Sequence, residues 1–193
     1  MKKRLLCVLL AVVLLCLPGC KPDQTLEGTW TAQVDALQAV LPMLPKEVSM
    51  LPLGALPVTL ELTLTGEGTF SCTVDRESIR MAVETLWQKA QRLLEGKESN
   101  SQGMVAALED ILGVAADQLK EGLQELLENA DIEQKVTQAY DRSGTYTDDG
   151  KQLMLTDSEG NTFLSGKYLL LGEKLTVTAP FPGTAVLIFQ KQN

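Results

Sequence analysis

The chain has 193 residues, of which 45% are hydrophobic, and its 17 Lys and Arg against 25 Asp and Glu give a net charge of −8. This composition is typical of one globular domain and excludes a disordered chain or a protein that crosses a membrane many times. The negative charge opposes nucleic-acid binding, because the phosphate backbone is itself anionic. The sequence contains no histidine, which excludes Ser-His-Asp and Cys-His nucleophile systems and every zinc site that uses imidazole.

The first residues have the pattern of an export signal. Three cations at positions 2–4 precede an unbroken apolar run over 5–17, which at 1.5 Å per residue makes only about 20 Å of helix. Such a run is short for a membrane span and typical of a secretory signal peptide. We therefore predict a signal over residues 1–19, a tether over 20–27 and a single domain over 28–193.

The end of this signal, Leu17-Pro18-Gly19-Cys20, resembles the lipobox of bacterial lipoproteins, although Pro18 stands where Ala or Ser is usual. In that family the Cys sulfur receives diacylglycerol and the Cys becomes the first residue of the mature chain. The resemblance implies that Cys20 carries acyl chains such as palmitate, which anchor the protein in membrane lipid at the extracytoplasmic face of the cell envelope. Each buried methylene contributes about 0.8 kcal/mol, so two chains hold a protein firmly. The alternative is a secreted protein cleaved nearby.

Cysteine usage fits this interpretation. Cys7 and Cys16 lie inside the signal, so once Cys20 is acylated Cys72 is the only thiol left and no intramolecular disulfide can form. Loss of the three signal cations lowers the net charge from −8 to −11. Anionic lipid repels such a body, so we expect the anchor, and not a basic patch, to hold it at the membrane.

Alternation of apolar and polar residues predicts three strands in the first part of the domain. The first begins at Gly28 and has Trp30 in its apolar phase, and the next two, over 58–65 and 69–74, form an antiparallel hairpin. The inner phase of this hairpin contains Cys72, for which we predict a core position and not a reactive one.

Residues 36–57, between the first two strands, are rich in Leu and Met but interrupted by four prolines. Proline forbids a long helix and opposes a central strand, so this segment is predicted to be irregular. Its apolar side chains must bury against something.

A helical region follows the hairpin. Asp75 is the predicted N-cap, and apolar residues recur at helical steps over 79–93 and again over 108–126. We predict an α-helical insertion at about 76–141, with two amphipathic helices that pack on each other or on the sheet.

After the insertion, five strands are predicted at 144–147, 152–157, 162–171, 174–179 and 184–190. Their connections are short and rich in turn residues, which forces a meander. The total of eight strands is the number at which a closed sheet is just wide enough to be filled or to hold one small ligand.

The Gly28-Thr29-Trp30 sequence at the start of such a meander resembles the lipocalin and lipocalin-like, calycin-type barrels. In that family the Trp plugs the closed end, and a cation near the last strand lies across it, a place that Lys191 takes here although Arg is usual. The predicted fold is therefore mainly β: an eight-stranded antiparallel lipocalin-like barrel, or a strongly curved sheet, with a helical insertion. Lipocalins have short hairpins where this insertion stands, so an α+β fold, an open sheet with helices on one face, is the alternative.

The resemblance also implies a position for the irregular segment, at the open end of the barrel, where it would act as a ligand lid. Its adaptable apolar side chains suit an apolar guest, and the candidate lid residues are Met43, Leu44, Met50 and Leu51. The alternative is that these side chains pack on the helices as core.

Catalytic signatures are absent from the sequence. There is no Gly-x-Ser-x-Gly elbow, phosphate-binding glycine loop or Cys-x-x-Cys pair, and Asp148-Asp149-Gly150 lacks the spacing of a calcium loop. We expect no enzymatic activity, no cofactor and no metal. Two functions fit the pattern: a membrane-anchored module that binds a small hydrophobic ligand, and a cell-envelope protein that contacts an unidentified protein partner or has a structural role.

Overall fold

The computed structural model describes residues 25–43, 54–95, 97, 106, 121, 131–181 and 184–192. Eight strands lie within these residues: β1 (Gly28–Asp35), β2 (Pro57–Leu64), β3 (Thr69–Val74), β4 (Arg142–Asp148), β5 (Gln152–Asp157), β6 (Thr162–Leu171), β7 (Lys174–Phe181) and β8 (Thr184–Lys191). They are accompanied by helices α1 (Leu37–Val40), α2 (Arg76–Leu94) and α3 (Ile132–Tyr140) and by a 3₁₀ turn at Leu41–Met43.

The eight strands form a closed barrel in which each strand pairs antiparallel with its neighbour in sequence. Closure comes from β1 and β8, where Trp30 lies opposite Lys191 and Thr31 opposite Gln190. The predicted antiparallel barrel with a helical insertion is therefore confirmed. The alternative of an open sheet is wrong, because the pairing of β1 with β8 leaves the sheet without free edges.

Three strands are longer than the alternation indicated, and one of them, β8, continues by one residue to Lys191. β4 begins at Arg142, which pairs with Cys72 of β3, and not at Gly144. β7 continues through Pro180 to Phe181, where a turn was predicted. The register of β7 against β8 shifts just before Phe181, and such a bulge tolerates a proline because a ladder hydrogen bond is already missing there.

The inward faces of the strands form one hydrophobic core, and a second bulge shapes it. Leu155 pairs with Leu164 and Thr156 with Thr162, which leaves Phe163 of β6 without a cross-strand partner. The Phe163 ring stacks on Phe70 of β3 with centroids 6.0 Å apart. The extra residue thus adds an aromatic ring to the core at one end of the barrel.

Helices cover that same end, which we call the helical end; the opposite end is the base. Helix α2 packs on β2 and α3, and α3 packs on β3 and α1. As predicted, Asp75 caps α2, and its carboxylate accepts hydrogen bonds from the backbone N–H groups of Glu77 and Ser78. Within the apolar stripe predicted over 79–93, Ala82 is buried more deeply than Val83.

At the helical end, two aspartates hold together the ends of the two long segments that connect β1 to β2 and β3 to β4. The Asp35 carboxylate accepts hydrogen bonds from the backbone N–H groups of Leu37 and Leu56, at 3.0 and 2.8 Å. The Asp141 carboxylate accepts one from Val74, at 2.9 Å. Each carboxylate therefore ties the residues that leave a strand to those that return to the sheet.

The second predicted amphipathic helix, over 108–126, falls almost entirely outside the described residues. No helix in the described part of the chain is both long and apolar enough to span a bilayer.

Candidate functional site

The base of the barrel contains the Gly-x-Trp motif. The Trp30 side chain is completely buried, and its indole N–H donates a hydrogen bond to the Leu26 carbonyl at 2.8 Å. Leu26 is itself buried. The residues that precede β1 thus fold under the indole and satisfy its one polar group, as a buried Trp requires.

Lys191 lies across this indole, with its Nζ atom 5.2 Å from the ring centroid. Gly28 has a φ of +126°, and a Cβ atom at this position would stand 2.7 Å from Cε of Lys191. A side chain at position 28 would therefore strain the backbone and displace the lysine. The structure brings Gly28, Trp30 and Lys191 together in one cluster.

The other sequence-predicted site residues are only partly described. Cys20, Leu44, Met50 and Leu51 lie outside the described residues, and for Met43 only the backbone, in the 3₁₀ turn, is described. The described parts of the same segment contribute to the core, where Leu37, Val40 and Leu56 are buried. Helix α1 lies against α3, which places this end of the segment over the helical end of the barrel.

Five inward side chains, on β1, β5 and β7, have no accessible surface. Exposure is zero for Trp30, Leu153, Leu155, Leu175 and Val177. Because a side chain that lines a void is reached by a water-sized sphere from within, zero exposure means that no void of that size touches these five residues. The barrel is filled at these positions.

A groove of about 550 Å³ opens at the helical end, between the start of β4 and the turn that joins β5 to β6. Among the described residues, its walls contain the cation Arg142 and the carboxylates of Asp141, Asp157 and Glu159. The Arg142 guanidinium donates to the Asp141 carbonyl at 2.7 Å. The Asp157 carboxylate accepts from the backbone N–H groups of Asn161 and Glu159, and these bonds, chiefly that of Asn161, lower its pKa.

The groove also contacts the aromatic rings of the core. Phe163, half-buried, forms part of its lining and meets Phe181 edge-on at 5.6 Å. Phe181 in turn lies 5.6 Å from Tyr140 of α3. We call Phe70, Phe163, Phe181 and Tyr140 the aromatic cluster. The alternation of apolar and polar residues does not reveal this cluster, because bulges place Phe163 and Phe181 in it.

The titratable groups of the core are held in their neutral forms. Burial raises the pKa of the Cys72 thiol from 9.0 to about 12, with a further contribution from the Asp141 carboxylate. Burial, and then the charge of Asp35, raises the pKa of Tyr140 to about 12. A thiol with this pKa is not a nucleophile near neutral pH, in agreement with the predicted core position of Cys72.

The pKa values of two tyrosines at the base, Tyr146 and Tyr168, are also raised. Burial and a hydrogen bond to the Asp148 carboxylate at 2.8 Å raise the pKa of Tyr168 to about 12. Burial and the charge of Glu27 raise the pKa of Tyr146, whose hydroxyl donates to the Thr65 carbonyl at 2.9 Å. Both hydroxyls therefore link neighbouring turns of the base.

Among the described residues, His, Cys, Asp and Glu side chains do not assemble into groups of three or more that would suit a metal ion. Comparison with protein-family models, with curated proteins and with solved structures finds no match to this chain.

Proposed function

We propose that this protein is a lipid-anchored, non-enzymatic component of a bacterial cell envelope, whose barrel is a packed scaffold that presents its helical end to a protein partner. The lipobox-like residues that end in Cys20 support the anchor. The observation that carries the choice of function is the zero exposure of Trp30, Leu153, Leu155, Leu175 and Val177, because a barrel filled at these positions of β1, β5 and β7 has no room there for a guest.

The helical end is the part of the molecule that departs most from a simple barrel. Helices α2 and α3 add a layer over the barrel mouth, and α2 bears an exposed methionine, Met81. Methionine is common at adaptable protein-binding surfaces. A partner that binds this layer would be held near the bilayer by the anchor on Cys20.

A small hydrophobic ligand is the second candidate function. The aromatic cluster favours it, because Phe163 is accessible from the groove of about 550 Å³ at the helical end. In this case the irregular segment that contains Met43 and Leu51 would act as the lid, and the guest would enter at the helical end and not along the axis.

Native mass spectrometry of a form that begins at Lys21 separates the two candidates. The scaffold function predicts the mass of the polypeptide alone and no saturable binding of a fluorescent fatty acid. A co-purified small molecule, or saturable binding that a folded Met43→Asp, Leu51→Asp variant loses, would favour the ligand function.

Photo-crosslinking in cells tests the partner directly. A photoreactive residue at Met81, on α2, should give one discrete adduct, whereas the same residue at Lys151, in the turn at the base, should not. Equal patterns at the two sites would contradict a partner bound at the helical end.

A further inference from the structure

The outer face of the last three strands carries an unusual concentration of exposed apolar side chains. In the described part of the chain, the exposed large hydrophobic residues are Met81, Met154, Leu169, Leu171, Val186 and Ile188. Four of these six belong to β6 and β8, on either side of β7. Leu169 lies opposite Thr176, which lies opposite Ile188, so the side chains share one continuous surface. Clusters of this kind mark interaction surfaces, unlike single exposed leucines.

The charge of these strands is opposite to that of the rest of the chain. The sequences of β6, β7 and β8 contain no Asp or Glu, in a protein of net charge −8. Two of their three lysines, Lys167 and Lys174, are exposed, whereas Lys191 lies over the Trp30 ring. Lys174 lies directly opposite Leu171, and Lys167 opposite Thr178. A face of leucine, isoleucine and valine flanked by lysine suits a lipid surface, where apolar groups enter the acyl boundary and ammonium groups meet the phosphates.

The position of the chain entry allows this face to reach the bilayer. The described chain begins at Thr25 and enters β1 at the base, between β8 and β2. Four residues lie between Cys20 and Thr25, and the five steps from Cα to Cα span at most about 18 Å when extended. Leu171 and Lys174 flank the turn between β6 and β7 at this same base. An anchor on Cys20 therefore holds β8, β7 and β6 within reach of the headgroups.

We propose that the outer face of β6, β7 and β8, which we call the lipid-facing side, rests on the membrane, so that the barrel lies on its side and β2, on the opposite wall, faces away from the bilayer. The inference rests on the proposed anchor at Cys20, but it adds a second, non-covalent contact. The ammonium groups of Lys167 and Lys174 weaken, on this side, the repulsion that the acidic body would otherwise meet, and the exposed Glu173 in the turn between β6 and β7 opposes them. Both effects act over about one Debye length from the lipid surface.

The test uses the full lipidated protein, in a Cys72→Ala background, with an environment-sensitive fluorophore at Leu171→Cys and a matched probe at Glu61→Cys. Glu61 is exposed on β2, the strand across the barrel from β6. After reconstitution into phosphatidylcholine–phosphatidylglycerol vesicles, the probe at position 171 should shift to shorter emission wavelengths and be quenched by spin-labelled lipid. The probe at position 61 should report water.

A second measurement needs no change to the apolar face. A membrane-impermeant amine reagent should label Lys167 and Lys174 of the lipidated protein several-fold less in vesicles than in detergent, while Lys97, beyond the end of α2, is labelled equally in both. If the two lysines lose this protection in a Leu169→Ser, Leu171→Ser variant, contact of the apolar face with lipid is the cause of the protection.

The outcomes of these experiments distinguish a failure of the proposed lipid-facing side from a failure of the proposed anchor at Cys20. If the protein does not float with vesicles, the proposed anchor is wrong. If it floats but the probe at position 171 reports water and both lysines are labelled fully, the anchor stands and the lipid-facing side is wrong. A blue shift at position 171 in native envelope membranes, but not in pure lipid, would identify the face as a protein-binding surface and also overturn the proposal.

Discussion

Replacement of Trp30 by Ala tests how the base of the barrel is held. The indole is fully buried, and removal of a buried Trp side chain costs about 3–5 kcal/mol. Trp30→Phe keeps an aromatic ring but leaves the buried Leu26 carbonyl without its donor, which costs about 1–3 kcal/mol. Lys191→Met keeps an apolar stem and removes only the cation from the ring, which costs about 0.5–1 kcal/mol for a half-buried pair.

The expected order of destabilisation is therefore Ala at position 30, then Phe at position 30, then Met at position 191. Urea unfolding followed by far-ultraviolet circular dichroism measures it without depending on the removed fluorophore. Trp87→Ala is the matched control, because Trp87 is only half-buried on α2 and should cost less. A Trp30→Ala variant within about 1 kcal/mol of wild type would behave like a surface substitution and refute this account of the base.

Substitutions at three further positions probe the helical end and the core. Asp35→Ala leaves two backbone N–H groups without their acceptor and should lower the free energy of unfolding by about 1–3 kcal/mol. Asp35→Asn keeps an acceptor oxygen and should lose less. An equal loss in both variants would contradict a stabilising role for the two hydrogen bonds that Asp35 accepts. Gly144→Ala places a Cβ atom against the Thr156 carbonyl oxygen of the paired strand and should cost about 1–3 kcal/mol by chemical denaturation; a neutral result would show that β4 and β5 can separate freely. The pKa of the Cys72 thiol is 9.0 without burial and about 12 in the fold. Between these two values only the thiol of the unfolded chain ionises. The contribution of the buried thiol to stability is therefore complete below pH 9 and is lost as the pH rises towards 12. Cys72→Ala should therefore flatten the fall of stability above pH 9 in pH-dependent unfolding, and an unchanged slope would contradict the burial of the thiol.

The barrel could be predicted because its strands alternate strictly. In β3, Phe70, Cys72 and Val74 face inward while the residues between them are exposed, and this period of two is visible without any knowledge of partners. Short turns after β4 then leave only a meander. Closure was harder to predict, since it depends on two cross-strand pairs, Trp30 with Lys191 and Thr31 with Gln190, that join the two ends of the domain.

The groove and the aromatic cluster could not be predicted in the same way. Phe163 reaches the cluster through a bulge, and a shift of register leaves no mark in the alternation of one strand. Asp35 and Asp141 accept hydrogen bonds from residues 21 and 67 positions away along the chain. Sequence patterns report local periodicity, whereas these contacts exist only after the sheet has closed.

The pairing of Trp30 with Lys191 could be predicted in part from the sequence. The resemblance to lipocalin-like barrels suggested it from Gly28, Trp30 and a cation after the last strand, and the geometry supplies the reason for the glycine, whose φ of +126° and contact with Lys191 exclude a side chain. The motif could thus be found by analogy, but its physical basis required coordinates.

The mass of the intact protein purified from the membranes of a bacterial host tests the proposed anchor most directly. The account predicts a chain that begins at Cys20 and carries a diacylglyceryl group, and a Cys20→Ala variant that incorporates no labelled fatty acid and does not fractionate with membranes. An unmodified chain cleaved at another position, or a Cys20→Ala variant that still carries lipid, would contradict it.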